Sequence, residues 1–140
     1  SLKHKIMKLE LKHLAPYLPY KLKFKRQDYI YIHMLLGISF EDIIFELGKT
    51  PIKFIKPILR PISDLNSEIE LNGRKFYPID ELAEIDEVVV LQYSFEFFET
   101  SMKYLPHWIV EQLLEWHFDV FGLIEKGLAI SIHDVEQADA

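Results

Sequence analysis

The sequence predicts an α+β fold: a single domain over residues 1–140, mostly antiparallel sheet, with one long C-terminal helix and two or three short helices. Three observations predict it. Residues Lys21 to Arg26 alternate charged and apolar side chains, the two-residue period of a half-buried strand. Asn72-Gly73 lies between short runs suited to strands, and both residues accept positive φ, as a tight hairpin requires. Between Pro106 and Gly127 the apolar residues return on one helical stripe. A chain of 140 residues fits one domain, since domains cluster near roughly 100–150 residues.

In chain order, Ser1-Leu2 reads as a vector-derived scar, with the native start just after it or at Met7. Leu11, Leu14, Ala15 and Leu18 recur at helical spacing, and Pro16 and Pro19 hold that helix short. In the first strand Lys21, Lys23 and Lys25 face outward, with Leu22 and Phe24 inward. Asp28 supplies a turn, and Tyr29 to Ile38 reads as a second strand. Phe40 to Leu47 fits either period; a third strand in a meander is favoured over a helix. Prolines 51, 57 and 61 keep the next segment extended, as an edge strand or a polyproline-like crossing. Ser63 to Ile69 has room for one helical turn, and the Asn72-Gly73 hairpin follows. Pro78 to Ile85 is a short helix with Asp80 and Glu81 in its first turn. Val88 to Phe98, β-branched and aromatic, is a strand. The long helix starts at Pro106 and is capped at Gly127, with a kink expected at Gly122. Ile130 and Ile132 alternate with Ser131 and His133 in a last strand, and the tail 134–140 is polar and frays.

Composition excludes whole classes. Apolar residues make up 49% and aromatics 14%, which rules out a disordered chain. No apolar run approaches the roughly 18 residues of a membrane span, and the N-terminus lacks the apolar centre of a signal peptide. The expected location is the cytoplasm. With no cysteine, disulfides, thiolate metal sites and cysteine nucleophiles are all absent. The net charge of −6 is unevenly spread: residues 1–60 carry 12 Lys/Arg against 5 Asp/Glu, and residues 61–140 carry 4 against 17. Such asymmetry marks an anion-binding surface, or two halves that neutralise one another on folding. The second reading is favoured for a single domain.

The basic residues are the best candidates for a site. Lys21, Lys23 and Lys25 share a strand face, and Lys53, Lys56 and Arg60 line the proline segment. With Tyr17, Tyr20, Tyr29 and Tyr31 nearby in sequence, they offer charge for phosphates and rings for stacking. The acidic total opposes nonspecific attraction to a polyanion, and alternating lysines also protect sheet edges. His117 falls near the centre of the long helix's apolar side and is expected to be a neutral, hydrogen-bonded core histidine. Asp119 lies about 160° away around an intact helix, so the two could not share a metal ion. Asp64, Glu68, Glu70, Asp80, Glu81, Glu84, Asp86 and Glu87 form an acidic region, most simply a solvated face; a metal-dependent hydrolase built on it is the least favoured reading. No nucleophile-elbow, zincin, Walker or dinucleotide-binding string occurs. The chain therefore calls for no catalytic residue, metal or cofactor.

Three stretches carry a resemblance: Leu11 to Tyr20 (LKHLAPYLPY), Ile55 to Gly73 (IKPILRPISDLNSEIELNG) and Glu115 to Ile132 (EWHFDVFGLIEKGLAISI). Together they resemble a family of small uncharacterised proteins encoded in bacterial phage and prophage regions. Two departures stand out: Lys21 occupies the place after Pro19-Tyr20 where glycine is expected, and the middle segment is shorter. What the resemblance implies is origin, since the family brings no activity, cofactor or catalytic residue. The expected function is a non-catalytic accessory protein of a mobile element, acting by contact with another protein or with a second copy of itself. Nucleic-acid binding through the lysine face is the alternative.

Overall fold

In the computed structural model, which describes residues 8–27, 31–85 and 104–135, a mixed four-stranded sheet, an antiparallel three-stranded sheet and a hairpin share one apolar core with the helices. Leu11–Leu14 forms α1, continued by a 3₁₀ turn over Ala15–Tyr20, the tighter winding that Pro16 and Pro19 permit. Lys21 closes it in the left-handed region, at φ 58. That conformation is the one glycine takes without strain, and glycine is what the resemblance leads one to expect there.

The four-stranded sheet runs in the order β2 (Ile32–Met34), β1 (Lys23–Arg26), β6 (Ile55–Leu59), β9 (Ile130–Ser131). β1 is antiparallel to both its neighbours, and β6 and β9 are parallel. The expected alternation holds across β1: Leu22 and Phe24 are buried, and Lys23 faces solvent. The second predicted strand is broken in two. β2 stays with β1, whereas β3 (Gly37–Ser39) belongs to a separate meander with β4 (Asp42–Phe45) and β5 (Gly48–Pro51). Strand was thus the right reading of Phe40 to Leu47. Tyr29 and Ile30, at the start of that predicted strand, lie outside the described residues, as does the strand expected over Val88 to Phe98.

The proline segment is neither an edge strand nor a polyproline crossing. After a 3₁₀ turn over Ile52–Phe54 it enters the sheet as β6, between β1 and β9. Register explains how. The Gln27 N–H donates to the Phe54 carbonyl at 2.7 Å, so bonded pairs alternate from there: Lys25 and Lys56 are bonded, Phe24 and Pro57 are not. Pro57 thus lacks its N–H where β1 asks for none.

A 3₁₀ turn over Ile62–Asn66 follows, then the hairpin of β7 (Ile69–Leu71) and β8 (Arg74–Phe76), closed by Asn72 at φ 54 and Gly73 at φ 79. Two successive positive φ values make the primed turn that the dipeptide signals. α2 spans Pro78–Ile85, as expected.

The long C-terminal helix is corrected. α3 covers only His107–Glu115. Trp116 is its cap residue, and His117 follows at φ 66. The N–H of His117 returns to the Leu114 carbonyl (3.0 Å) and that of Phe118 to the Leu113 carbonyl (2.9 Å). This is the Schellman closure, with buried Phe118 and Leu113 supplying the accompanying apolar contact. Residues 117–119 then run alongside Arg60, whose N–H donates to the His117 carbonyl while its carbonyl accepts from the Asp119 N–H, both at 2.8 Å. The last strand is also shorter than expected: after Ser131 the chain winds into α4 (Ile132–Val135), which takes in Asp134 and the buried Val135 of the expected tail. Residues 136–140 lie outside the described set.

Tyr17, Leu22, Phe24, Leu59, Leu65, Leu82, Ile109, Leu113, Phe118 and Leu123 are all essentially inaccessible, and one cluster contains them. Each such side chain contributes about 1.5–3 kcal/mol by leaving water. Tyr17 also ties the post-helix segment to the N-terminus: its hydroxyl donates to the Phe118 carbonyl and accepts from the Val120 N–H.

Candidate interaction surface

The six candidate basic residues divide three ways. Lys23, Lys25 and Lys56 share the outer face of the four-stranded sheet, and Lys25 stands directly opposite Lys56 in the β1–β6 register. Like charges placed opposite destabilise a sheet, and no ion pair offsets this one among the described residues. Lys53 is exposed in the turn before β6, its ammonium 5.2 Å from the centroid of the Phe54 ring; with Lys56 it lines an open groove of about 850 Å³. Lys21 lies apart, beside Tyr20, Arg74, Glu81 and Glu115 around another groove. Arg60 does not belong to the surface. It is buried in the strand and donates from Nη2 to the Glu70 carbonyl at 2.8 Å. The predicted ring partners scatter as well: Tyr17 is in the core, and Tyr31 is exposed just before β2.

The lysine face borders the open edge of its sheet. Among the described residues, β2 pairs only with β1. The Leu35 N–H donates to the Leu22 carbonyl, so Phe24 and His33 form the next bonded pair, and Ile32 and Met34 turn their backbone groups away from β1. Glu46, in the two-residue turn between β4 and β5, covers this edge. Its Oε2 accepts from the Met34 N–H at 3.1 Å, and its Oε1 accepts from Nδ1 of the buried His33 at 2.7 Å. Burial alone would raise the Glu46 carboxyl. The hydrogen bonds from its own N–H, His33 and Met34 outweigh that and hold it below the usual carboxylate range. Lys23, Ile32, Met34 and Leu36 complete a groove of about 560 Å³ around the pair.

Apolar side chains project from the neighbouring meander. Phe40 is 91% exposed and Leu47 73%, each in a two-residue turn; Leu36 is 56% exposed. Phe40 sits at φ 56, in the first central position of its turn, where hairpins favour glycine. A left-handed, solvent-facing phenylalanine costs on the order of 1–2 kcal/mol of backbone strain with no burial to offset it.

The remaining titratable groups hold the fold together. Nε2 of His117 donates to the Tyr20 carbonyl at 2.6 Å, and burial first, then Lys23 and Arg60, keep the ring neutral by lowering its pKa against that hydrogen bond. The expected hydrogen bond is present, but the residue is half-buried rather than in the core, and it follows the Trp116 cap of α3 rather than riding on the helix. The carboxylate of Asp119 accepts from the N–H groups of Leu123 and Ile124, at 2.8 and 2.9 Å. Asp64, also buried, pairs with Nε2 of His133 at 2.7 Å across a small cleft beside Arg60. Glu70 and Glu81 face Lys75 and Arg74, and Asp86 and Glu87 lie outside the described residues. No three His, Asp or Glu side chains among the described residues gather to hold a metal ion.

Sequence reasoning missed the His33–Glu46 and Asp64–His133 pairs. Thirteen and 69 residues separate the partners, and neither spacing is a periodic signal. No family model matches the chain, and neither the curated proteins nor the solved structures offer a match. No described helix is long and apolar enough to cross a membrane.

Proposed function

We propose that this chain is a non-catalytic, cytoplasmic accessory protein of phage or prophage origin, acting by contact with another protein through the β3–β4–β5 meander. Phe40 carries the reading: a ring held almost wholly in solvent, on a backbone that pure stability would give to glycine. Leu47 and Leu36 extend the apolar surface it starts. Exposed aromatics on preformed turns are the anchors that protein interfaces use. The origin rests on the likeness of the three sequence strings alone. Nucleic-acid binding is the weaker reading, because Arg60 and Tyr17 are buried and Lys21 stands apart from the other lysines.

The test is Phe40→Gly. It relaxes the turn, so unfolding by urea should show a gain of about 1 kcal/mol. The same variant, used as bait in cells carrying the native genomic neighbourhood, should lose the partner that the parent retains. Identical retained proteins for the two baits would overturn the reading.

A further inference from the structure

We propose that the open edge of β2 takes an extended, carboxylate-bearing segment of a partner protein as an added strand, in the place that Glu46 now fills. The inference rests on the protein-contact reading above but on a different surface from Phe40.

The edge already works as a carboxylate cradle. Glu46 is held there by one backbone N–H, from Met34, and one buried imidazole, from His33. It reaches them from a turn, with its side chain 44% exposed, so an incoming carboxylate can approach from solvent. The backbone groups of Ile32 and Met34 face outward, and displacing Glu46 frees the Met34 N–H for an added strand's carbonyl while the strand's carboxylate takes the His33 imidazole. Charge points to the partner's chemistry. Lys23 lines the same groove, with Lys25 and Lys56 farther along the face, and none of the three has an ion-pair partner among the described residues. Ile32, Met34 and Leu36 supply apolar contacts for the alternate side chains. A segment alternating acidic and aliphatic residues fits: its acid stands opposite His33, its aliphatics lie opposite Ile32 and Met34, and its net negative charge is drawn by the lysines across the sheet. Until it binds, Glu46 and the shortness of β2 keep the edge from pairing at random.

The probe is a fluorescein-labelled peptide of alternating glutamate and valine, titrated into the full chain at low salt. Its lysine–valine counterpart and an oligo-dT strand serve as controls. The expected result is binding of the glutamate peptide alone, with new hydrogen-exchange protection at the amides of Ile32 and Met34. Glu46→Ala should bind it about tenfold more tightly, since no internal carboxylate competes, and Lys25→Glu about tenfold more weakly. Should Glu46→Ala fail to fold, Glu46→Gln, which keeps an acceptor for Met34 but gives up the charge, should still gain affinity. Four outcomes overturn the proposal: no peptide binding to parent or variant; binding without protection at the edge; tighter binding of oligo-dT, which would make the face a polyanion platform; or dimerisation of Glu46→Ala in place of peptide binding. Phe40→Gly should leave the peptide affinity unchanged, so either surface can fail without the other.

Discussion

Among single residues, His117 shows most clearly how one side chain can serve a fold. Its ring donates from Nε2 to the Tyr20 carbonyl, and its backbone N–H and carbonyl pair with Leu114 and Arg60. The folded state therefore wants the neutral form: burial, Lys23 and Arg60 all lower its pKa from 6.5. The sign of the pH effect follows. Because the folded value lies below the unfolded one, the stability is fully present above pH 6.5. It is lost as pH falls from there through the lowered folded value. His117→Asn removes the titration while keeping a residue that tolerates left-handed φ. Urea titrations at pH 7.5 and 5.5 should show the parent losing more stability than the variant between those two values. Equal losses would mean that the imidazole is not held neutral. Sequence reasoning reached the chemistry of this residue correctly but not its place: its partners, Tyr20 and Arg60, are far away along the chain.

The elements divide by how local their determinants are. Asn72-Gly73, the alternation from Leu22 to Lys25 and the span of α2 were legible because each is fixed by neighbouring side chains. The end of α3 was not. Phe118, Val120 and Phe121 continue the apolar stripe of a helix, but in the fold Phe118 is the contact residue of a Schellman closure and Asp119 binds the next turn. The usual marker, glycine, is missing, because histidine takes the left-handed position and covers the strain with its own hydrogen bond. A comparison of His117→Gly with His117→Ala isolates that strain, since both variants lose the ring and its donor. The glycine variant should be more stable by about 1 kcal/mol in urea unfolding. If alanine were equal or better, the helix would be continuing past Trp116, as the sequence pattern suggested. The proline segment misled for a related reason: Pro57 is harmless in an interior strand only because of its parity in the β1–β6 register, which residue spacing does not reveal.

For the whole molecule, the question is how a basic half and an acidic half share one core. The sequence favoured mutual neutralisation. Among the described residues the pairs are local: Lys12 with Glu10 on the basic side, Arg74 with Glu81 and Lys75 with Glu70 on the acidic side, with His33–Glu46 and His133–Asp64 as further contacts inside each half. No ion pair among the described residues joins residues 1–60 to residues 61–140; the core joins them through apolar contacts such as Tyr17 with Phe121. This predicts how salt acts. Exposed local pairs are worth about 0–1 kcal/mol each and are screened, while the like-charge repulsion of Lys25 opposite Lys56 is screened too and works the other way. Urea unfolding at low and high sodium chloride should therefore give stabilities within about 1 kcal/mol of one another, or slightly higher in salt. A molecule whose halves were held by opposed charge would lose several kcal/mol over that range, and such a loss would show that the halves neutralise each other after all. If stability is insensitive, the lysine face carries no part of the fold's cohesion, and its charge is free to act on what binds there.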